Sequence, residues 1–147
     1  MKVVLQRVQE AQVEIAGSLH AKIGLGALLL VGLGQEDTVE QVDYLAGKIA
    51  KSRVFADPAG KINCSIQDIQ GEFLSISQFT LYANTKKGNR PSFQEALAPQ
   101  AAERLYQRFN QQLQIYNPQI LVQTGVFGAD MQIKLVNDGP LTIIYEA

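Results

Sequence analysis

The sequence predicts one α/β domain in which two helices cover one side of a mixed, largely antiparallel sheet. Three observations carry this expectation. Apolar patterning changes along the chain in the order strands, helix, strands, helix, strands. The run Leu28 to Leu33 stays apolar between glycines, which suits a strand buried on both faces and is short for a helix. No linker, internal repeat or low-complexity tract divides the chain.

Val3-Val4-Leu5 and Val13-Glu14-Ile15 read as two short strands, and Gly17-Ser18 as a turn into an extended piece from Leu19 to Ile23. These open an antiparallel meander, with Leu28 to Leu33 at the centre of the sheet. Thr38-Val39-Glu40-Gln41 fits a capping box, and Val42, Leu45, Ala46 and Ile49 then recur at helical spacing up to Lys51-Ser52. Arg53-Val54-Phe55 reads as extended before the Asp57-Pro58-Ala59-Gly60 turn, and Phe73 to Tyr82 as a strand. Pro99 suits the first turn of a second helix, whose stripe of Ala102, Leu105, Tyr106, Phe109 and Leu113 stops before Asn117-Pro118. Three further strands, about 120–124, 131–136 and 141–145, complete the pattern.

With 147 residues, 46% hydrophobic and 18% charged, the chain is large enough for a core without staples. One cysteine, Cys64, excludes an internal disulfide, and one histidine, His20, leaves no Cys/His set for zinc, so neither metal nor cofactor is expected. The N-terminus lacks an apolar signal region and no stretch reaches the roughly 18 apolar residues of a membrane span, so a cytoplasmic protein without a membrane partner is expected. A net charge of −1 argues against long DNA or RNA held through many phosphates. Lys86, Lys87 and Arg90 around Gly88 form either a solvated turn or a contact for one or two phosphates at an RNA end.

Two segments carry the chemistry. In Ser77-Gln78-Phe79-Thr80-Leu81, strand alternation places Ser77 and Phe79 on one face and Gln78 and Thr80 on the other, so the four converge only through a bend or bulge. A nucleophilic Thr80 needs a base. His20 lies far upstream in a strand-like segment, and Asp138 beside Gly139 has turn composition, while Asp130 remains a carboxylate without a histidine. A Ser/Thr-His-Asp hydrolase is therefore rejected. In Asn137-Asp138-Gly139-Pro140-Leu141-Thr142, a residue with almost no steric limits meets one whose ring fixes φ.

These two segments occur in order, with Lys87-Gly88-Asn89-Arg90-Pro91-Ser92-Phe93 and Thr124-Gly125-Val126-Phe127-Gly128-Ala129-Asp130-Met131 between them. The chain thereby resembles the D-aminoacyl-tRNA deacylases, from Met1-Lys2-Val3-Val4-Leu5-Gln6-Arg7-Val8 to the last strand. The resemblance implies a three-layer α/β/β domain that pairs into a homodimer and acts on the acceptor end of aminoacyl-tRNA. It implies a cis Gly139-Pro140 bond whose two carbonyls point into the partner's active site and exclude L side chains, and Arg7 holding those carbonyls. It places Met131 at the adenosine pocket, where a methionine otherwise fills core space. The Phe79 and Thr80 amides then polarise the ester carbonyl, and the 2′-hydroxyl of the terminal adenosine assists water. Glycyl esters, having no side chain to exclude, are expected to pass. Two other functions remain at this point: a tRNA-end binding module without chemistry, and a hydrolase of small D-amino acid esters.

Overall fold

The computed structural model describes every residue from Met1 to Ala147. Strand β1 (Lys2–Ile15) hairpins into β2 (Ser18–Ile23), and β3 (Gly26–Gly32) returns antiparallel to β1, so the opening is not a simple meander. Helix α1 (Val39–Ala50) follows, then a small hairpin of β4 (Phe55–Ala56) and β5 (Ile62–Cys64). Strand β6 (Glu72–Ser77) pairs parallel to β3, and β7 (Val122–Thr124), reached through helix α2 (Pro99–Tyr116), pairs parallel to β6. The last strand, β8 (Gln132–Glu146), runs antiparallel along β1 at the edge of the sheet.

Two expected pairs of short strands are each one long strand. In β1 and β8, bulges conceal the alternation. Val8 pairs with Asn137 and Glu10 with Val136, which leaves Gln9 as an extra residue. That one residue shifts the phase, so Val8, Ala11 and Val13 share a face that plain alternation would not give them. Val3 and Leu5 belong to one core, and Val8, Ala11 and Val13 to a second.

The first core lies between the sheet and the helices. Ala27, Leu29, Val31 and Phe73 meet Val42, Leu45, Ile49, Phe109 and Leu113 there. The second lies on the opposite face, where Leu28, Leu74 and Ile76 meet Ala21 and Ile23 of β2, and Ile133 and Leu135 of β8 pack against them. Strand β3 is thus buried on both faces, as its unbroken apolar run requires. Helices, central sheet and the β-ribbon curled over it form the three layers.

Both helices follow from local signals. Gln41 accepts a hydrogen bond from the Thr38 amide at 2.7 Å, and Pro99 opens α2 where no N–H is needed. Arg108 of α2 donates from Nε and Nη2 to the two carboxylate oxygens of Asp43 on α1, at 2.7 and 2.6 Å. That hydrogen bonding holds the Asp43 carboxyl below its usual value. A depressed carboxylate stabilises the fold above its unfolded pKa, and the contribution disappears as pH falls through the lowered value. Asp43→Asn should lower Tm at pH 7 by about 1–3 °C, the size expected for a half-exposed ion pair in a domain of this length. The difference should shrink as pH falls below the usual aspartate value of about 3.9 and through the lowered one. Thermal melts at pH 7 and along a series of acid pH values check this, and an equal loss throughout would mean that charge does not hold the helices together.

Candidate active site

Parallel strands β3, β6 and β7 point their C-terminal ends the same way, where open α/β sheets bind ligands. A cleft of about 620 Å³ lies there. Val31 and Leu33 border it from the end of β3, Ile76 and Ser77 from β6, Gln78 and Phe79 from the residues just after β6, and Phe127 to Met131 from the segment after β7. Pro99, Ala102 and Tyr106 of α2 close one side. The Tyr106 hydroxyl donates to the Ser75 carbonyl at 2.7 Å, and burial pushes its pKa up, so it serves as a neutral wall. Asp130 is the one charged residue on the lining, with no histidine, cysteine, lysine or arginine beside it.

Strand β6 ends at Ser77, and Phe79–Tyr82 form a 3-10 turn instead of the expected strand end. The cause lies on β3. Gln78 makes one last bond to the ladder, its N–H to the Val31 carbonyl at 2.7 Å, and the turn then folds against Gly32 and Gly34. A Cβ on Gly32 would stand 2.9 Å from Leu81 Cβ, and one on Gly34 only 2.4 Å from the Tyr82 ring. Asp37 fastens the turn further by accepting from the Tyr82 hydroxyl at 3.1 Å and the Gly34 amide at 2.6 Å.

This bend resolves the alternation problem for the Ser77 to Thr80 segment. The Gln78 side chain donates to Thr80 Oγ1 at 2.5 Å, and the exposed Phe79 ring meets Phe93 edge-on at 5.2 Å. Leu81 N–H bonds the Gln78 carbonyl at 3.3 Å and is the first to bond within the turn. The amides of Phe79 and Thr80 therefore have no acceptor in it.

The Gly139-Pro140 segment sits elsewhere. Gln6 pairs with Thr142 and Val8 with Asn137, so β8 places Asp138, Gly139, Pro140 and Leu141 opposite the single residue Arg7. The Gly139-Pro140 bond is cis and Gly139 has φ +114°, a region that favours glycine. Arg7 Nη1 donates to the Val54 carbonyl at 2.9 Å, and Nε lies 2.8 Å from Asp138 Oδ2 as an ion pair without hydrogen-bond geometry. A Cβ on Gly139 would stand 2.8 Å from Arg7 Nη2. None of Arg7, Gly139 and Pro140 lines the cleft of its own chain.

A family model described as D-Tyr-tRNA(Tyr) deacylase matches residues 4–146. The chain belongs to that family. It is a D-aminoacyl-tRNA deacylase, a hydrolase. A solved structure named "c-Myc DNA Unwinding Element Binding Protein" is 42% identical, with TM-score 0.93 over 100% of this chain and 99% of that one. Another, described as a structural analysis of a probable eukaryotic D-amino acid tRNA deacylase, shares the fold at TM-score 0.83 and 17% identity, over 98% of this chain and 97% of that one.

Of the residues singled out in the deacylase sequence, Ser77, Gln78, Phe79 and Met131 line the cleft, with Thr80 beside them on the turn. Lys86, Lys87 and Arg90 are exposed in the loop that the Asn84–Ser92 bridge closes, away from the lining. His20 is exposed on β2 and Asp138 is paired with Arg7, so no triad assembles with Asp130. Phe93, Tyr106 and Phe127 escaped the sequence reading as site residues. Tyr106 was visible only as part of a helix stripe, and Phe93 and Phe127 only as members of matched segments. Gly125 also matters, because a Cβ there would stand 2.5 Å from Met131 Sδ.

Gly34→Ala should destabilise the protein by about 1–3 kcal/mol through overpacking against Tyr82, and should slow deacylation by displacing the turn. Urea titration together with a deacylation assay reads both effects. Unchanged values would mean that the turn does not depend on the close approach to β3.

Proposed function

We propose that the cleft holds the aminoacylated 3′ end of tRNA and that catalysis rests on orientation and fixed polar groups. The observation carrying this reading is a cleft edged by a turn whose Phe79 and Thr80 amides have no acceptor within it, and lined by no nucleophile paired with a base. Those amides polarise the ester carbonyl, a role backbone N–H groups fill without reorganising. Water, assisted by the 2′-hydroxyl of the terminal ribose, adds to the carbonyl carbon. The bond from that carbon to the ribose oxygen breaks, releasing D-amino acid and tRNA with a free hydroxyl. Met131 packs against the terminal adenosine, and Lys86, Lys87 and Arg90 meet nearby phosphates.

Selectivity comes from a second chain. Gly139 and Pro140 are exposed on edge strand β8 and remote from their own cleft, with Val136 and Ile144 exposed on the same strand on either side. An unpaired edge bearing apolar side chains suits a C₂ homodimer, which brings each loop to the other chain's cleft. Carbonyls of Gly139 and Pro140 accept from the substrate ammonium and leave no room for an L side chain. Glycyl esters then pass the filter. The enzyme works in the cytoplasm, needs no cofactor and takes no DNA, since a net charge of −1 with one short basic cluster does not suit a long duplex.

Matched D-tyrosyl-, L-tyrosyl- and glycyl-tRNA should show cleavage of the first and third only, and a 2′-deoxy terminal adenosine should lower turnover by about 100-fold or more, as loss of a positioned proton-transfer group does. Rapid cleavage of the 2′-deoxy substrate would place the chemistry on a protein side chain. Binding of tRNA without turnover would leave a binding module, and equal turnover of D-tyrosine ethyl ester would make tRNA dispensable.

A further inference from the structure

We propose that Asn137 is the positioning residue that sets the Gly139-Pro140 loop, and so the D/L discrimination of the enzyme. The proposal rests on the reading of that loop as the chiral filter. Its own basis is the way the loop leaves the sheet. Opposite Arg7, β8 carries four residues where a regular ladder has one, and Pro140 has no N–H to offer. The regular ladder of backbone donors is therefore interrupted at the mouth of the loop.

One side chain replaces them. Asn137 Nδ2 donates to the Arg7 carbonyl on β1 at 2.9 Å and to the Leu141 carbonyl on β8 at 3.1 Å. A carboxamide nitrogen has two hydrogens, and both are used, one across the strand pair and one across the loop. The Arg7 side chain meanwhile pairs with Asp138, and Gln9 Nε2 donates to Asp138 Oδ1 at 3.0 Å. Arg7 and Gln9 thus hold the side of the loop, while Asn137 fixes its two ends relative to each other.

Residue type is narrowly constrained. Aspartate has the same shape but only accepts, serine has a single donor, and glutamine is one methylene too long for a bridge this short. The ladder continues on either side of the loop, from Gln132 to Val136 and from Thr142 to Glu146. Loss of the bridge should therefore disturb the aim of the carbonyls more than the fold.

The test compares kcat/KM for D- and L-tyrosyl-tRNA with Tm in wild type, Asn137→Asp, Asn137→Ser and Gln12→Ala. Gln12 bonds Glu14 on the same ribbon, away from the loop. Asn137→Asp should cut the D/L ratio by about 10-fold or more, the equivalent of a broken pair of half-buried hydrogen bonds. Asn137→Ser should fall between it and wild type, and Gln12→Ala should keep the wild-type ratio. If Asn137→Asp does not fold, the serine variant alone decides. A ratio unchanged in the folded variants, or D and L rates falling together, overturns the role of Asn137 while leaving the filter standing. Wild type without D/L preference removes the filter itself and this proposal with it.

Discussion

The β1–β8 pairing is the constraint on which the rest of the structure depends. These two long strands lie side by side over nearly their whole lengths, yet their inner faces serve different cores at their two ends. Val3, Leu5, Ile143 and Tyr145 face the helices, whereas Val8, Val13, Ile133 and Leu135 face the layer beneath β2. Regular strands cannot change faces in this way, so the ribbon carries its irregularities where it crosses from one core to the other. Gln9 is the extra residue on β1, and three of the four residues from Asp138 to Leu141 are extra on β8, opposite the single Arg7. The corner needed by the fold thus presents a loop on an open edge, available to a second chain.

Close approach governs the other half of the site. Three parallel strands end together and make a cleft, but a straight continuation of β6 would have scattered Ser77 to Thr80 over two faces. Glycines at 32 and 34 let the chain turn down onto β3, and Asp37 ties that turn to the end of the same strand. The result is a largely apolar recess edged by a turn whose Phe79 and Thr80 amides have no acceptor within it, with Asp130 the one charged residue on the lining. Fixed amides suit a reaction in which the substrate brings its own hydroxyl, because orientation then lowers the barrier without a titrating side chain.

Much of this was legible in the sequence. The unbroken apolar run at Leu28 to Leu33 fixed the central strand, and the stripes of both helices named the residues that meet the sheet. Four of the expected site residues line one cleft, and Gly139, Pro140 and Arg7 do gather at a separate place. What stayed hidden was set by contacts distant in sequence. The bulge at Gln9 shifts the alternation of β1, which made one strand read as two. The end of β6 depends on glycines more than forty residues upstream. Tyr106 and Phe127, 6.0 Å apart between ring centroids, come together only when α2 crosses the end of the sheet.

The central claim is that cleft and loop act together only across two chains. Mixed dimers test it most directly. One chain would carry Gly139→Val, whose branched side chain displaces Arg7 and disrupts the loop, and the other Thr80→Pro, which removes a turn amide. In a C₂ arrangement such a dimer holds one intact composite site, so D-selective deacylation should return to roughly half the wild-type value although each parent homodimer lacks it. A mixed dimer no better than the average of its parents would contradict the account.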